Sequence, residues 1–509
     1  MRPLERRAAE SLNIADALNS EASARNSVLP PQPGLAQIAE RESGRFAEWL
    51  KSELASGMRV SPQVVVNARK PRHGTRPAPI MGIPERVAYR AIVDRMLLRE
   101  DPLQRDPVDY LSFVQAPVNY VMDKAGGLRT VALLLDDDEI RYVVKSDLAA
   151  FYQYVDHGIL ARLLVSRSRD LELVEVTAEL LADLEGRSFG LPQMFDPSDR
   201  LSEIYAQLLQ DQLLRRGHLV WRFNDDFRIG AASFVAALDA IEALSEEARS
   251  LGLIINEQKT TSPRFANYVM ATFGLSSIDD EIPLDEQGEV ESAVADYLEE
   301  FGDPDEAVFL IRAALSDADK DWDLGNLDRD DVGRLRRAIW SVARAEDDRI
   351  VDAIVPLAIY VPSLTPVLCR YAEVIAAQDL TVMAASIDAV VSTVSLGGWQ
   401  RMWFCHLLRS SGLLADADGD AARRMRFVTD CATDGRHPVV RAEAALALAG
   451  CGQVSVASLA AALTTEPKAL ASWYVVAAAT AVEGSRDERV IEGLRGSDSL
   501  YALLIDSVQ

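Results

Sequence analysis

Two adjacent carboxylates, Asp225 and Asp226, are the residues of this sequence whose type and spacing best fit metal chemistry. They lie between the short apolar runs Trp221-Arg222-Phe223 and Phe227-Arg228-Ile229, a pattern that predicts two strands joined by a turn. Further Asp-Asp pairs occur at 279–280, 330–331 and 347–348 in a chain with 78 acidic residues, and those pairs are typical of solvated loops. Nucleotidyl transfer uses divalent cations, and hard cations prefer clustered carboxylates. We therefore expect a metal site at 225–226.

A third carboxylate, Asp147, follows the candidate strand 140–144. If this strand and the hairpin are neighbours in one sheet, three carboxylates converge at one edge, which is the arrangement of a two-metal site. Two Mg²⁺ ions are the expected cofactors, with Mn²⁺ as the alternative.

The elements around these acids follow a regular order. Strands are predicted at 130–135, 140–144 and 253–255, and helices at about 157–184, 198–214 and 231–250. The last helix has Phe234, Leu238, Ile241 and Ala248 on one face, which predicts its buried side. The order predicts an α+β sheet that is covered on one face.

The flanking regions are predicted to be helical. Residues 1–58 have a helical pattern, and a further helix is expected at about 84–99. Its arginines (Arg86, Arg90, Arg95 and Arg99) leave two alternatives open, a solvated basic face or contact with phosphate. After residue 285, helix-length segments alternate with short breaks, and residues 437–450 look like half of a HEAT-type repeat.

Length and composition exclude several classes of protein. At 509 residues the chain needs more than one core, and its 49% hydrophobic content indicates a folded protein. No signal-peptide core and no run of 18 apolar residues occur, so neither secretion nor membrane spanning is expected. The four cysteines have no CxxC spacing, which predicts reduced thiols and a cytoplasmic location.

The negative charge lies mainly in the second half of the chain. Residues 281–509 carry 20 basic and 38 acidic residues, whereas residues 51–100 carry 10 basic and 4 acidic residues. A protein that grips a long duplex usually has a broader basic surface. One local basic zone fits a nucleotide triphosphate or a short strand better.

Four ordered blocks between about 140 and 262 resemble the palm of reverse transcriptases. They are Asp147-Leu148-Ala149-Ala150-Phe151-Tyr152 with Val155-Asp156-His157, Gly190-Leu191-Pro192-Gln193 with Ser198 and Leu201, Phe223-Asn224-Asp225-Asp226, and Leu251-Gly252-Leu253 through Asn256 with Lys259-Thr260. A looser segment at 70–99 resembles the fingers. The resemblance implies three domains: an N-terminal helical segment (1–58), a reverse transcriptase-like fingers and palm domain (59–280), and an all-α HEAT-like repeat domain (285–509).

The resemblance also implies roles for individual residues. Asp147, Asp225 and Asp226 take the positions of the catalytic metal ligands, together with the backbone of Leu148. Tyr152 stands where the family keeps an aromatic ring under the sugar, which favours deoxynucleotides. The full set of implied nucleotide-binding residues is Tyr152, Gln193, Lys259, Lys70, Arg72 and Arg76.

Departures from the family pattern refine the expected activity. Met194 stands where the family usually has glycine, and Asn224 replaces a small or apolar residue. With its acidic helical C-terminal half, the chain resembles the bacterial abortive-infection reverse transcriptases, which act in defence against phage. That group implies DNA synthesis from dNTPs without a template, primed on a protein tyrosine, by a homo-oligomer. Separately, the C-terminal helical domain is expected to bind a phage or host protein. The alternatives are templated synthesis on RNA, as in retron-like enzymes, and an inactive polymerase scaffold.

Overall fold

The computed structural model of the chain describes residues 1–24, 28–71, 74–100, 103, 107–124, 139–168, 170–272, 304–316, 327, 329–393, 395–415 and 420–509. The chain divides into two compact units. The first combines Met1–Leu98 with Glu300–Gln509, and the second is Arg99–Glu299. The domain boundaries expected at residues 58, 280 and 285 follow the sequence character and stay a prediction.

Two small antiparallel sheets contain the strands of the described residues. The strands are β1 (Val64–Arg69), β2 (Thr75–Ile80), β3 (Tyr142–Asp147), β4 (Leu219–Phe223) and β5 (Asp226–Ala231). β1 and β2 form a hairpin in the first unit, and the sheet of the second unit has the order β3-β5-β4. The expected mixture of helices and sheet is therefore present, in a largely helical fold. The strand predicted at 130–135 lies outside the described residues.

Helices make up most of the described residues outside the two sheets. Those of the second unit are Pro107–Lys124, Phe151–Tyr154, His157–Ser168, Leu171–Glu185, Asp196–Arg215, Phe234–Ser250 and Phe265–Thr272. Those of the first unit are Arg6–Glu10, Ile14–Ser23, Leu35–Arg41, Ser43–Ser56, Ile83–Met96, Pro304–Ser316, Arg329–Arg344, Ile354–Tyr360, Thr365–Ala376, Leu380–Thr393, Gly398–Ser410, Ala421–Ala432, Pro438–Ala449, Val456–Thr465, Ala471–Thr480, Ser485–Ser497 and Ser499–Val508. None of the helices in the described part of the chain is both long and apolar enough to cross a membrane. The four cysteines are free, as their spacing predicts.

The helix Phe234–Ser250 packs on β3 and β5 with a different face from the one predicted. Its buried residues include Ala237, Leu244 and Ala248, whereas Phe234 and Leu238 are each 49% exposed. Of the predicted face, Ala248 is thus buried as predicted, Ile241 is half-buried, and the prediction is wrong for Phe234 and Leu238. Small alanines let the helix approach the sheet closely, so size as well as periodicity decides which face is buried.

The segment after this helix runs beside β3 without becoming a strand. Isolated antiparallel bridges join Leu148 to Ile255 and Lys145 to Thr261. Between them the single 3₁₀ turn Glu257–Lys259 interrupts the extended backbone. The strand predicted at 253–255 is therefore reduced to one bridging residue.

In the first unit, a buried carboxylate engages two of the arginines predicted to form a basic face. Glu21 is 3% exposed and lies 2.5 Å from the Arg86 Nε and 3.1 Å from the Arg90 Nη1. The prediction of a solvated face is thus wrong for these two arginines, whose side chains are 14% and 17% exposed. The alternative, contact with phosphate, stays a prediction. The two arginines stabilise the packing of the helix Ile83–Met96 on the helix Ile14–Ser23.

From residue 304 onward, the described secondary structure is helical and is arranged in two layers. The helix Thr365–Ala376 packs on Gly398–Ser410, which packs on Pro438–Ala449, while Leu380–Thr393 packs on Ala421–Ala432. Contact between every second helix is typical of helical repeats. The HEAT-like assignment itself stays a prediction.

Candidate metal centre

A tight turn between β4 and β5 carries the central acidic pair. Phe223 pairs with Asp226, which leaves Asn224 and Asp225 as the two loop residues. Asn224 has a φ of 54°, in the left-handed region that asparagine adopts more readily than most residues. The departure from the family pattern at position 224 therefore suits the turn that presents Asp225.

The third carboxylate reaches the same place from the neighbouring strand. Asp147 is the last residue of β3 and pairs directly with Asp226 of β5. The Leu148 N–H donates to the Asp225 carbonyl oxygen at 3.1 Å, which fixes the end of β3 against the turn. Carboxylate oxygens of Asp147, Asp225 and Asp226 all lie within 4.8 Å of one another, and all three residues are half-buried. The structure thus brings together the three acids that the sequence singled out.

The donor set of this cluster fits a hard divalent cation. Three carboxylates at this separation repel one another unless positive charge lies between them, and oxygen donors are the ligands that Mg²⁺ and Mn²⁺ prefer. Leu148 uses its N–H in the bond to Asp225, so its carbonyl oxygen is the atom with which it could contribute. The role of these residues as metal ligands stays a prediction.

Two residues after the helix Phe234–Ser250 hold Asp147 from the outer side. The Asn256 N–H donates to the Asp147 carbonyl oxygen at 2.7 Å, and the Asn256 Nδ2 donates to its Oδ2 at 3.2 Å. The Lys259 Nζ lies 3.6 Å from the same carboxylate oxygen. Lys259, which the resemblance places near the triphosphate, therefore lies at the edge of the acidic cluster. Asn256 belongs to the last of the four sequence blocks, but no individual role was predicted for it.

An arginine in β4 anchors the turn, and sequence reasoning missed it. The Arg222 side chain is 4% exposed. Its Nη1 donates to the Asn224 carbonyl oxygen at 2.9 Å and to Glu203 at 3.1 Å, and its Nε donates to Gln210 at 3.3 Å. The only signal in the sequence was a charged residue inside the apolar run Trp221–Phe223. Because its partners lie on the helix Asp196–Arg215, Arg222 ties the turn to that helix.

A second buried arginine lies on the strand of Asp226. The Arg228 guanidinium is 5.0 Å from the centre of the Phe113 ring. Burial opposes its charge, yet the pKa of Arg228 is raised, because Tyr268, Asp226 and Tyr110 favour the charged form. Alternate residues of a strand share a face, so this positive charge lies on the same side of β5 as Asp226 and offsets part of the negative charge of the cluster.

The predicted nucleotide-binding segments of the second unit contact each other. The Leu191 N–H donates to the Tyr152 carbonyl oxygen at 2.7 Å, which holds the loop leading to Gln193 against the helix Phe151–Tyr154. The Tyr152 hydroxyl donates to Asp199 Oδ1 at 2.5 Å, which ties its ring to the helix Asp196–Arg215. Met194, next to Gln193, has a φ of 67°, a conformation that favours glycine. Methionine therefore occupies a glycine-type backbone position here.

The remaining predicted triphosphate contacts belong to the first unit. Lys70 follows β1, where its N–H donates to the Gly74 carbonyl oxygen at 3.0 Å, and Arg76 lies in β2. Arg72 lies outside the described residues. The assignment of these three residues as a triphosphate clamp stays a prediction.

No protein-family model matches the sequence, and no curated protein is significantly similar to it. Among solved structures, two of telomerase from Candida tropicalis are similar to parts of the chain. One, in complex with a fragment of telomeric RNA, is 11% identical with a TM-score of 0.32, covering 68% of this chain and 64% of that chain. The other, the apo enzyme, is 10% identical with a TM-score of 0.32, covering 82% of this chain and 68% of that chain. Similarity at this level carries no argument about function. The case for a function therefore rests on the residues of the site.

Proposed function

We propose that this chain is a metal-dependent nucleotidyltransferase, a DNA polymerase of the reverse transcriptase type that acts in defence against phage. The observation that carries the proposal is the convergence of Asp147, Asp225 and Asp226, whose carboxylates lie within 4.8 Å of one another. They come from the end of β3 and from the β4–β5 turn, 78 residues apart in the chain. The four ordered sequence blocks support the same class. The substrates are dNTPs, and the product is DNA.

The proposed roles follow from the contacts of each residue. Asp147, Asp225 and Asp226 would hold two Mg²⁺ ions, which when bound stabilise negative charge on the attacking and leaving oxygens. Lys259 places a positive charge beside Asp147, where it favours binding of a triphosphate. Tyr152, fixed by Asp199, supplies a ring against the sugar.

We further propose that synthesis needs no template and starts on a protein tyrosine. Met194 supports the first point, because it adds a side chain where the family leaves template and nucleotide unobstructed. The net charge of −25 supports it too, since a chain this acidic is poorly suited to gripping a long duplex. The resemblance to the abortive-infection group supports a cytoplasmic homo-oligomer whose helical C-terminal region binds a phage or host protein.

The direct test is incubation of the purified chain with Mg²⁺ and labelled dNTPs, without template or primer. Labelled DNA that partitions with protein on phenol extraction is the expected product. Asp225→Asn should lower the rate by about a thousandfold, which corresponds to about 4 kcal/mol of transition-state stabilisation. Asp348→Asn is the matched control, because Asp348 belongs to another Asp-Asp pair and is exposed.

Three outcomes separate this proposal from its alternatives. If product sequence follows an added RNA, the enzyme is templated. If Asp225→Asn retains the wild-type rate, the metal site is assigned wrongly. If no DNA forms under any condition and Asp147→Asn leaves phage defence intact, the chain is a scaffold.

A further inference from the structure

A cavity of about 330 Å³ in the first unit has the opposite charge character to the chain as a whole, whose net charge is −25. It lies between β1 and the beginnings of the helices Gly398–Ser410 and Pro438–Ala449. Its described lining contains two arginines and a histidine but no aspartate or glutamate, although 78 of the 509 residues are acidic. Such a local excess of positive charge favours an anionic ligand.

The cationic groups of this cavity are available to a ligand. Arg69 and Arg436 are exposed, and neither forms a side-chain ion pair within the described part of the chain. The nearby carboxylate of Asp434 is already engaged, since it accepts from Arg401 at 2.5 Å and lies 3.2 Å from the His437 Nδ1. The charge of the two arginines is therefore not neutralised locally.

The backbone at one wall is shaped for close approach. A Cβ on Gly398 would come within 2.5 Å of the His437 ring, so only glycine allows the imidazole to lie there. The same residue begins the helix Gly398–Ser410, whose first N–H groups are favourable to an anion. The electrostatic preference of the cavity thus has a backbone contribution in addition to the arginines.

The rest of the wall is apolar. Val65, Trp399, Met402 and Val440 line the cavity, and all but Val65 are buried. A volume of this size lies at the lower end of the range for small-molecule sites, about 300–1,000 Å³. An apolar wall beside free cations suits a ligand with a flat apolar part and a phosphate.

We propose that this cavity binds a free nucleotide, with its phosphates on Arg69 and Arg436 and its base against the apolar wall. The lining lies wholly in the first unit and includes none of the three aspartates. The site therefore does not depend on the proposed polymerase activity. It gives the chain a second place of contact with nucleotides. Through this contact, the nucleotide concentration can influence the helical region.

Isothermal titration of the full chain with dATP in EDTA tests the proposal, because EDTA removes metal-dependent binding elsewhere. One nucleotide per chain is expected. Arg69→Gln and Arg436→Gln should each weaken binding about tenfold, since each removes a charge-assisted hydrogen bond. Arg426→Gln, an exposed arginine outside the cavity, is the matched control, and Asp225→Asn should also bind normally.

A third cavity variant, of a different kind, guards against loss of folding as an explanation. Val65→Glu places a carboxylate at a position that is 48% exposed, so the fold tolerates it while the nucleotide is repelled. The proposal is overturned if dATP gives no heat at millimolar concentration, or if binding survives all three cavity variants. It is also overturned if a single-stranded oligonucleotide displaces dATP at equimolar concentration, because the occupant would then be a polymer.

Discussion

Arg222 offers the sharpest test of how the acidic turn is held. Replacing it by methionine keeps most of the side-chain volume and removes every hydrogen bond to Asn224, Glu203 and Gln210. A buried ion pair that loses one partner costs about 3–5 kcal/mol. Glu203 is 31% exposed and regains water, so we expect a smaller loss of unfolding free energy, about 2 kcal/mol.

The same substitution should also affect the proposed metal site. Without its bond from Arg222, the Asn224 carbonyl group is released and the Asp225 turn can shift. Misplacement of a reacting group by about 1 Å costs up to about a hundredfold in rate. We expect Arg222→Met to weaken Mn²⁺ binding and lower the rate of dNTP incorporation between about tenfold and a hundredfold.

Glu203→Gln separates the two effects. It removes the charge partner of Arg222 but leaves the bond from Arg222 to Asn224 in place, so it should lose stability while keeping most of its Mn²⁺ affinity. Mn²⁺ affinity can be measured by electron paramagnetic resonance, which does not require activity. Equal Mn²⁺ affinities in Arg222→Met and Glu203→Gln would show that Arg222 only stabilises the fold and does not position the turn.

Two further predictions follow from the backbone and from charge. Met194 has a φ of 67°, which glycine adopts more readily than alanine. Met194→Gly should therefore have a higher unfolding free energy than Met194→Ala, by about 1 kcal/mol in urea denaturation, although alanine is usually the more stabilising of the two residues. A more stable alanine variant would contradict the assigned conformation. Although burial opposes its ionisation, the Arg436 and His437 N–H groups and the His437 side chain lower the pKa of Asp434 to about 2. Because the pKa of Asp434 is lower in the folded chain than in the unfolded chain, its carboxylate stabilises the fold at pH values above the unfolded pKa of about 4. This stabilisation is lost as the pH falls toward 2. The stability difference between the wild type and Asp434→Asn should therefore shrink as the pH falls from about 4 toward 2; an unchanged difference over this range would contradict the shift.

Short-range patterns were sufficient to predict the turn that carries Asp225. The apolar runs on either side of the acidic pair predict two strands, and the three residues between them, 224–226, allow only a short turn. The structure reduces the loop to residues 224 and 225, because Asp226 already pairs with Phe223. Asp147 lies far from that turn in sequence, and two observations singled it out: it follows the candidate strand 140–144, and it begins the first of the four ordered blocks. Its pairing with Asp226 in the sheet then follows from the antiparallel register.

Contacts between distant residues could not be predicted in the same way. Glu21 and Arg86 are 65 residues apart, and nothing in the spacing of the arginines indicates that a buried carboxylate faces them. The buried face of the helix Phe234–Ser250 was also ambiguous, because alanines and large apolar residues recur at the same period. Which of them faces the sheet depends on how closely the helix packs on the sheet. That distance is set by the residues of the helix and of the sheet together.

The first unit is built from both ends of the chain, and this has a consequence for its synthesis. The Trp399 and Trp403 side chains donate to the Val28 carbonyl oxygen at 2.8 and 3.0 Å, and the helix Ser499–Val508 packs on the helix Leu35–Arg41. The N-terminal helices leave the ribosome long before these partners exist, so the second unit can complete its contacts first. Deletion of the helix Ser499–Val508 should therefore expose Leu35 and Ile38, hundreds of residues upstream, to proteolysis.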